Sequence, residues 1–346
     1  MVFETLYLFI SLLLILLGAE VFTNGVECLG RRLSLSQAVV GSLLAAVGTA
    51  LPETILPFVA IFLHSGEASN RIGVGAILGA PFMLATLAFF LVGFTVLVSF
   101  LIKKRPFQIS IEYKSMRRDI IFFLIFYSCA IFLPMFIQNS NLFIAIALVI
   151  GYVYYVYKTF SGESEGILHA EELYLKKIYY KARGSLSSEC IVKTSTGLPL
   201  ILSQVFLALV IMISGAHVFV DALSKISTSW GIDPLLFALL VAPVATELPE
   251  KFNSVTWTIK GRDPLALGNI TGAMVFQSTF PVSLGLLSTE WNITGLALVS
   301  AIMAISISII ILINLLITKR LSPLILLIGA VFYITYAVLI IIDQRT

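Results

Sequence analysis

Charge is what this sequence has least of. Only 12% of its 346 residues are Asp, Glu, Lys or Arg, about half the ~25% of an ordinary soluble domain. Hydrophobic residues make up 59%, against roughly 45–50%. A compact soluble protein of this length needs a far larger polar skin, so the composition excludes a soluble enzyme. Cysteine is scarce and odd in number, three in all, which excludes a fully paired secreted disulfide scaffold. Cys129 lies in an apolar run, and Cys28 and Cys190 fall in loops assigned below to the reducing cytoplasm. The net charge of +3 is too small to mark a nucleic-acid partner. No HExxH, catalytic Ser or Cys motif or nucleotide-binding loop is present, so no enzyme activity and no cofactor are expected. The start of the chain carries Glu4 and no basic residue before its first apolar run, unlike a cleavable signal peptide.

What is present is apolar sequence in long runs. About 20 apolar residues span a bilayer as a helix, and reading between charged or turn-rich breaks gives ten such runs. They lie near 3–24, 37–63, 72–101, 119–137, 142–157, 198–220, 235–257, 265–287, 293–317 and 322–342. The second, third and seventh contain Gly or Pro mid-span and are expected to be interrupted. With the first residue outside, eighteen of the 22 Lys and Arg residues fall in inner loops, a strong positive-inside bias. Both termini are therefore expected outside the cell membrane. The 158–197 connection is expected in the cytoplasm. Its middle, 167–183, mixes apolar and charged residues at helical spacing. It reads either as a short surface helix joining two halves or as a regulatory, lipid-sensing element.

The two halves resemble each other. At an offset of 197, eleven of the 36 positions in 18–53 and 215–250 are identical, including Gly18-Ala19 with Gly215-Ala216 and Leu51-Pro52-Glu53 with Leu248-Pro249-Glu250. After a small loop difference, Gly75-x-x-x-Gly79 matches Gly268-x-x-x-Gly272. Five spans separate equivalent points, and five is odd, so the second copy crosses in the opposite sense. The fold class expected is an all-α integral membrane protein with ten transmembrane helices in two inverted-topology repeats of five. The repeats cover 1–157 and 198–346. Such repeats with interrupted helices characterise secondary transporters.

Glu53 and Glu250 each fall near the middle of a span, where an ionised carboxylate costs at least about 2.5–3.5 kcal/mol. Lys251 is the one basic residue inside a span, so bound cations are the natural complement. Pro52 and Pro249 lack an N–H and disturb the preceding turn, which can free backbone carbonyls near Thr49 and Thr246 to face a cavity. Carboxylate, carbonyl and water oxygens suit hard cations such as Ca²⁺. A kink without ion chemistry is the plainer reading of either Pro-Glu pair taken alone.

GTALPET (48–54) and ATELPEK (245–251), each followed by a glycine-rich segment, GAILGA (75–80) or GNITGA (268–273), resemble the two α-repeat motifs of the calcium/cation antiporter superfamily, which includes the sodium/calcium exchangers. The motifs cover 41–93 and 238–287. The resemblance implies a core of spans two, three, seven and eight, with spans one and six sliding across it. It also implies Glu53 and Glu250 as the main Ca²⁺ carboxylates and Thr49 and Thr246 as donors of backbone oxygen. The sequence departs from the pattern in places. Ala50 and Glu247 stand where the family usually has Ser before Leu-Pro-Glu. Ala76, Ala80 and Leu84 replace polar residues of the first glycine-rich motif, while the second keeps Asn269 but has Ala273 and Gln277. Much of the oxygen set for several Na⁺ ions is absent.

Glu247, Asn269 and Gln277 remain as an additional ion or proton site. Glu247 lies one helical turn before Glu250, and three carboxylates in one cavity would favour a proton on one of them. Pairing of Glu247 with Lys251 is the alternative. Glu20 and His217 occupy equivalent positions and read as a gate or proton relay, or as side chains snorkelling to the interface. The function expected is alternating-access antiport of Ca²⁺ or a similar cation against Na⁺ or H⁺. The alternatives are a monovalent Na⁺/H⁺ exchanger on the same scaffold and, remotely, an intramembrane enzyme. The partners expected are small inorganic cations and the lipid bilayer, with no nucleic acid; the oligomeric state is left open.

Overall fold

The computed structural model describes residues 2–32, 45–137, 139–160, 173–176 and 197–343. Among these, regular structure is helical apart from one isolated antiparallel bridge between Ile109 and Leu321. Helix α1 (Val2–Arg32) is followed by α2 (Ala45–Phe58), which runs on through a π-turn at Val59–Leu63. Helix α3 (Glu67–Met83), a second π-turn at Leu84–Ala88 and α4 (Phe89–Leu101) form one continuous rod. Helices α5 (Tyr113–Phe136) and α6 (Asn141–Phe160) complete the first half. The second half contains α7 (Leu198–Trp230), α8 (Pro234–Ile259), α9 (Asp263–Gln277), α10 (Phe280–Ser288), α11 (Gly295–Thr318) and α12 (Pro323–Asp343).

Eight helical stretches among the described residues are long and apolar enough to cross a membrane, and Leu51–Leu63 and Pro234–Glu247 are shorter apolar helices. The first of these carries Pro52-Glu53, and the second ends just before Pro249-Glu250. Large apolar side chains such as Phe3, Phe136, Phe143 and Ile317 are exposed along the outside, while Glu53, Glu247, Lys251 and Asp263 are buried. A soluble protein would place them the other way round. The chain is a multi-pass membrane protein.

Two helix pairs set the interior. Helices α1 and α7 pack closely: a Cβ on Gly18 would press on Met212, one on Gly215 would press on Ile15, and one on Gly25 would press on Val205. Residue numbers rise along α1 as they fall along α7, so the pair is antiparallel. The Gly18–Met212 and Ile15–Gly215 contacts are also reciprocal at the offset of 197. Helices α3 and α8 run in the same direction instead, with Gly75 against the carbonyl of Leu235 and Gly79 against that of Leu239. Small residues let backbones approach this closely inside a membrane.

The interruptions fall where local hydrogen bonding fails. The second and third runs each contain a π-helical segment and continue through it. In the second of these, the Thr86 hydroxyl donates back to the Phe82 carbonyl at 2.5 Å. The seventh run, expected to be interrupted, is one helix through Pro243 and Pro249. The break lies in the eighth run, at Ser278–Thr279 between α9 and α10. There Pro281 supplies no N–H, and the hydroxyls of Ser278 and Thr279 take the carbonyl of Val275 at 2.9 and 3.0 Å.

Candidate ion-binding site

Helix α2 carries Glu53 inward, only 6% exposed. Its carboxylate opens on a small cavity that is also lined by Leu56, Ala76, Ala80, Ala242, Pro243 and Thr246. The free space is about 10 Å³, close to the ~10–15 Å³ that one water molecule occupies on that measure. Residues from both halves of the chain thus line one space fit for a single small ion or water. The Thr246 hydroxyl donates to the Ala242 carbonyl at 3.1 Å. In a continuous helix Pro249 leaves the carbonyl of Ala245 without its usual donor, and this is the type of oxygen a cation accepts. The side chains of Thr49 and Glu250, the equivalents of Thr246 and Glu53, lie outside the described residues.

The third wall is α3, and its glycines explain how it comes so close. Pro243 cannot donate to the Leu239 carbonyl, and that carbonyl lies against Gly79, where any side chain would overlap it. Close approach brings Ala76 and Ala80 into the cavity wall. Their methyl groups stand where polar side chains would have added oxygens. The equivalent glycines behave differently: Gly268 has no neighbour within 4 Å and Gly272 only the Tyr155 hydroxyl at 4.0 Å among the described residues.

Below Thr246, α8 turns a buried polar stripe inward. Glu247, Lys251, Ser254 and Thr258 are 2%, 1%, 1% and 0% exposed, and their spacing of four, three and four keeps them on one helical face. Ser254 Oγ has no hydrogen-bond partner among the described residues. Sequence reading missed Ser254 and Thr258, although this spacing was the available signal. Of the other expected ligands, Gln277 sits at the α9–α10 break, 2% exposed, with Oε1 unpartnered among the described residues. Asn269 is half-buried and its Nδ2 is likewise unpartnered. Neither lines the Glu53 cavity.

Two unforeseen polar anchors fix α9. Arg105 donates to Asp263 through both arms, at 2.8 and 2.6 Å, and to the Thr258 carbonyl at 2.6 Å. The buried Asp119 accepts from Thr271 at 2.8 Å and from the Tyr155 hydroxyl at 3.1 Å.

Glu20 and His217 are not brought together. Glu20 accepts from the Tyr174 hydroxyl at 3.1 Å, and His217 lies against His64 with ring centroids 4.0 Å apart and the rings tilted by 31°. Antiparallel packing of α1 and α7 sends equivalent positions to opposite ends. Tyr174 belongs to the described piece of the long connection, 173–176, which docks across α1 and α7. The Gln204 amide, 0% exposed, accepts from the Leu175 backbone at 2.8 Å and donates to Asn24 at 2.9 Å.

A buried Glu beside a small cavity lined by both halves of the chain, inside a bundle of apolar helices, is the arrangement of a cation-handling membrane protein. The family model described as "Sodium/calcium exchanger protein" matches residues 3–160 and 200–342, and the chain belongs to that family. It is a cation antiporter and not an enzyme. The chain is 26% identical over 306 residues to the inner membrane protein YrbG of Escherichia coli (strain K12), covering 86% of this chain and 83% of the relative. Its fold matches that of the H⁺/Ca²⁺ exchanger CAX, with a TM-score of 0.68 at 18% identity, over 99% of this chain and 88% of the other. The sodium-calcium exchanger NCX_Mj matches with a TM-score of 0.54 at 18% identity, over 97% of each chain.

Proposed function

We propose that the chain exchanges Ca²⁺, or a similar divalent cation, for protons by alternating access. Glu53 and Glu250 supply the main carboxylates, Thr49 and Thr246 mark the adjoining backbone oxygens, and ten spans are arranged as two inverted repeats of five. The observation that carries the reading is the buried cavity shared by Glu53 of α2 and Thr246 of α8. An empty site of two or three negative charges crosses the membrane only when neutralised, which makes exchange obligatory. Inversion is supported by the antiparallel, reciprocal contacts of α1 and α7 at the repeat offset.

The Lys and Arg distribution supports both termini outside and the 158–197 connection in the cytoplasm, and contacts between distant loops support the grouping of loops on each side. Residues 105–110 meet Asp263, and Ile109 meets Leu321, all assigned inside. Arg71 pairs with Asp233, and His64 with Asp221, all assigned outside.

A proton is favoured over Na⁺ because Ala76 and Ala80 line the cavity without offering oxygen, and because the fold match to the H⁺/Ca²⁺ exchanger CAX is the stronger of the two. A second reading, monovalent Na⁺/H⁺ exchange, is supported by the cation of Lys251 buried one turn from Thr246 and Glu247, which lowers the negative charge available to a divalent ion. Proteoliposomes distinguish the two. A pH gradient is expected to drive ⁴⁵Ca²⁺ uptake that excess Na⁺ leaves unchanged. Proton-driven Na⁺ flux with no competition from Ca²⁺ would establish the second reading and end the first.

A further inference from the structure

We propose that His64, His217 and Asp221 form a binding site for a transition-metal ion of the Zn²⁺ class, separate from the Glu53 cavity, which clamps α7 to the end of α2. His217 and Asp221 are four residues apart on α7, so they project from one face of that helix. His64 caps the π-turn that ends α2. One donor atom from each residue lies within 4.8 Å of the other two, and His64 Nε2 is 3.1 Å from Asp221 Oδ1. Around tetrahedral zinc, with bonds of about 2.0–2.2 Å, neighbouring ligand atoms are about 3.3–3.5 Å apart. The His64–Asp221 pair is already that close, and no pair needs to close by more than about 1.5 Å, which side-chain rotation provides.

The outer shell is in place as well. His64 Nδ1 is directed at the Val59 carbonyl at 3.4 Å, which also accepts the His64 backbone N–H at 3.2 Å. When a metal takes Nε2, Nδ1 carries the ring proton and this carbonyl accepts it. His64 Nε2 and Asp221 Oδ1 lie at hydrogen-bond distance, 3.1 Å, and a metal takes the place of the proton between them. The tilted contact of the two imidazoles, centroids 4.0 Å apart, holds the second nitrogen ligand beside the first. His217 and Asp221 are exposed and His64 is partly so, so an ion has access and a water can take the fourth position. Two imidazoles and one carboxylate suit Zn²⁺ and fit poorly the six to eight oxygens that Ca²⁺ prefers.

The placement of this site on the outer face rests on the topology proposed above; metal binding does not. The test therefore uses the detergent-solubilised full chain carrying Glu53→Gln, which disables the proposed transport site. Titration with Zn²⁺ is expected to show one ion per chain, undisturbed by millimolar Ca²⁺, and titration with Co²⁺ to give the visible bands of a tetrahedral complex. His64→Gln, His217→Gln and Asp221→Asn are each expected to weaken Zn²⁺ binding at least 10-fold. X-ray absorption of the Zn²⁺ complex without those three substitutions is expected to show two imidazole ligands, a readout that no folding defect can imitate. In proteoliposomes of the wild-type chain, external Zn²⁺ is expected to slow cation flux, and His64→Gln to abolish that slowing. Absence of Zn²⁺ binding, equal affinity in all three variants, or a spectrum without imidazole would overturn the site. Specific binding that leaves flux untouched would overturn the clamp.

Discussion

Replacing Gly79 by alanine adds one carbon where α3 and α8 press together beside the cavity. That Cβ would lie 2.6 Å from Pro243 Cγ and would overlap the carbonyl of Leu239, whereas carbon atoms rest comfortably at about 3.5–4.0 Å. The helices must part by about 1 Å to admit it, and overpacking of this kind costs about 1–3 kcal/mol. Ala80, Ala242 and Pro243 line the cavity, so the same displacement opens the proposed ion site. If the cost falls on the bound state, affinity drops roughly 5- to 150-fold. Calorimetric titration of the solubilised protein with Ca²⁺ measures this, and thermal unfolding in the same detergent measures the packing cost. Gly197→Ala is the control, because a Cβ there meets nothing nearer than Pro199 Cδ at 3.8 Å. A Gly79→Ala protein with the affinity and melting temperature of the control would refute the argument that the α3–α8 contact shapes the site.

Arg105→Ala leaves the buried Asp263 carboxylate without its two-armed partner and is expected to cost about 3–5 kcal/mol, read as a lower melting temperature; Arg105→Lys restores the charge without the fork and recovers only part. Gln204→Leu removes the acceptor of the Leu175 N–H and a donor to Asn24, each bond contributing about 1 kcal/mol. Faster limited trypsin cleavage after Lys176 is the expected result, and an unchanged rate would show that 173–176 is held by other contacts.

The sequence made the cavity legible and its surroundings much less so. Glu53 and Thr246 stood out because a charge in an apolar run is costly and because the 197-residue offset pairs each with a counterpart in the other half. Gly18 and Gly215 matched in the same comparison, and in space they occupy reciprocal contacts. Features outside the repeat gave no such signal. His64 corresponds to Gly261 and Asp221 to Asn24 at that offset, so no duplicated motif announced the histidine–aspartate cluster. Arg105 and Asp263 are far apart in the chain and meet only through helix packing. The interruption expected in the seventh span lies in the eighth because proline alone does not break a helix held on both sides, whereas Pro281 with three nearby hydroxyls does.

The central claim is that one carboxylate from each half holds the transported cation. Counter-ion-driven ⁴⁵Ca²⁺ flux through proteoliposomes of Glu53→Gln, Glu250→Gln and the double variant tests it most directly. Each single substitution is expected to abolish flux, with the double variant no worse than either. Full flux through either single variant would remove that carboxylate from the site and contradict the account.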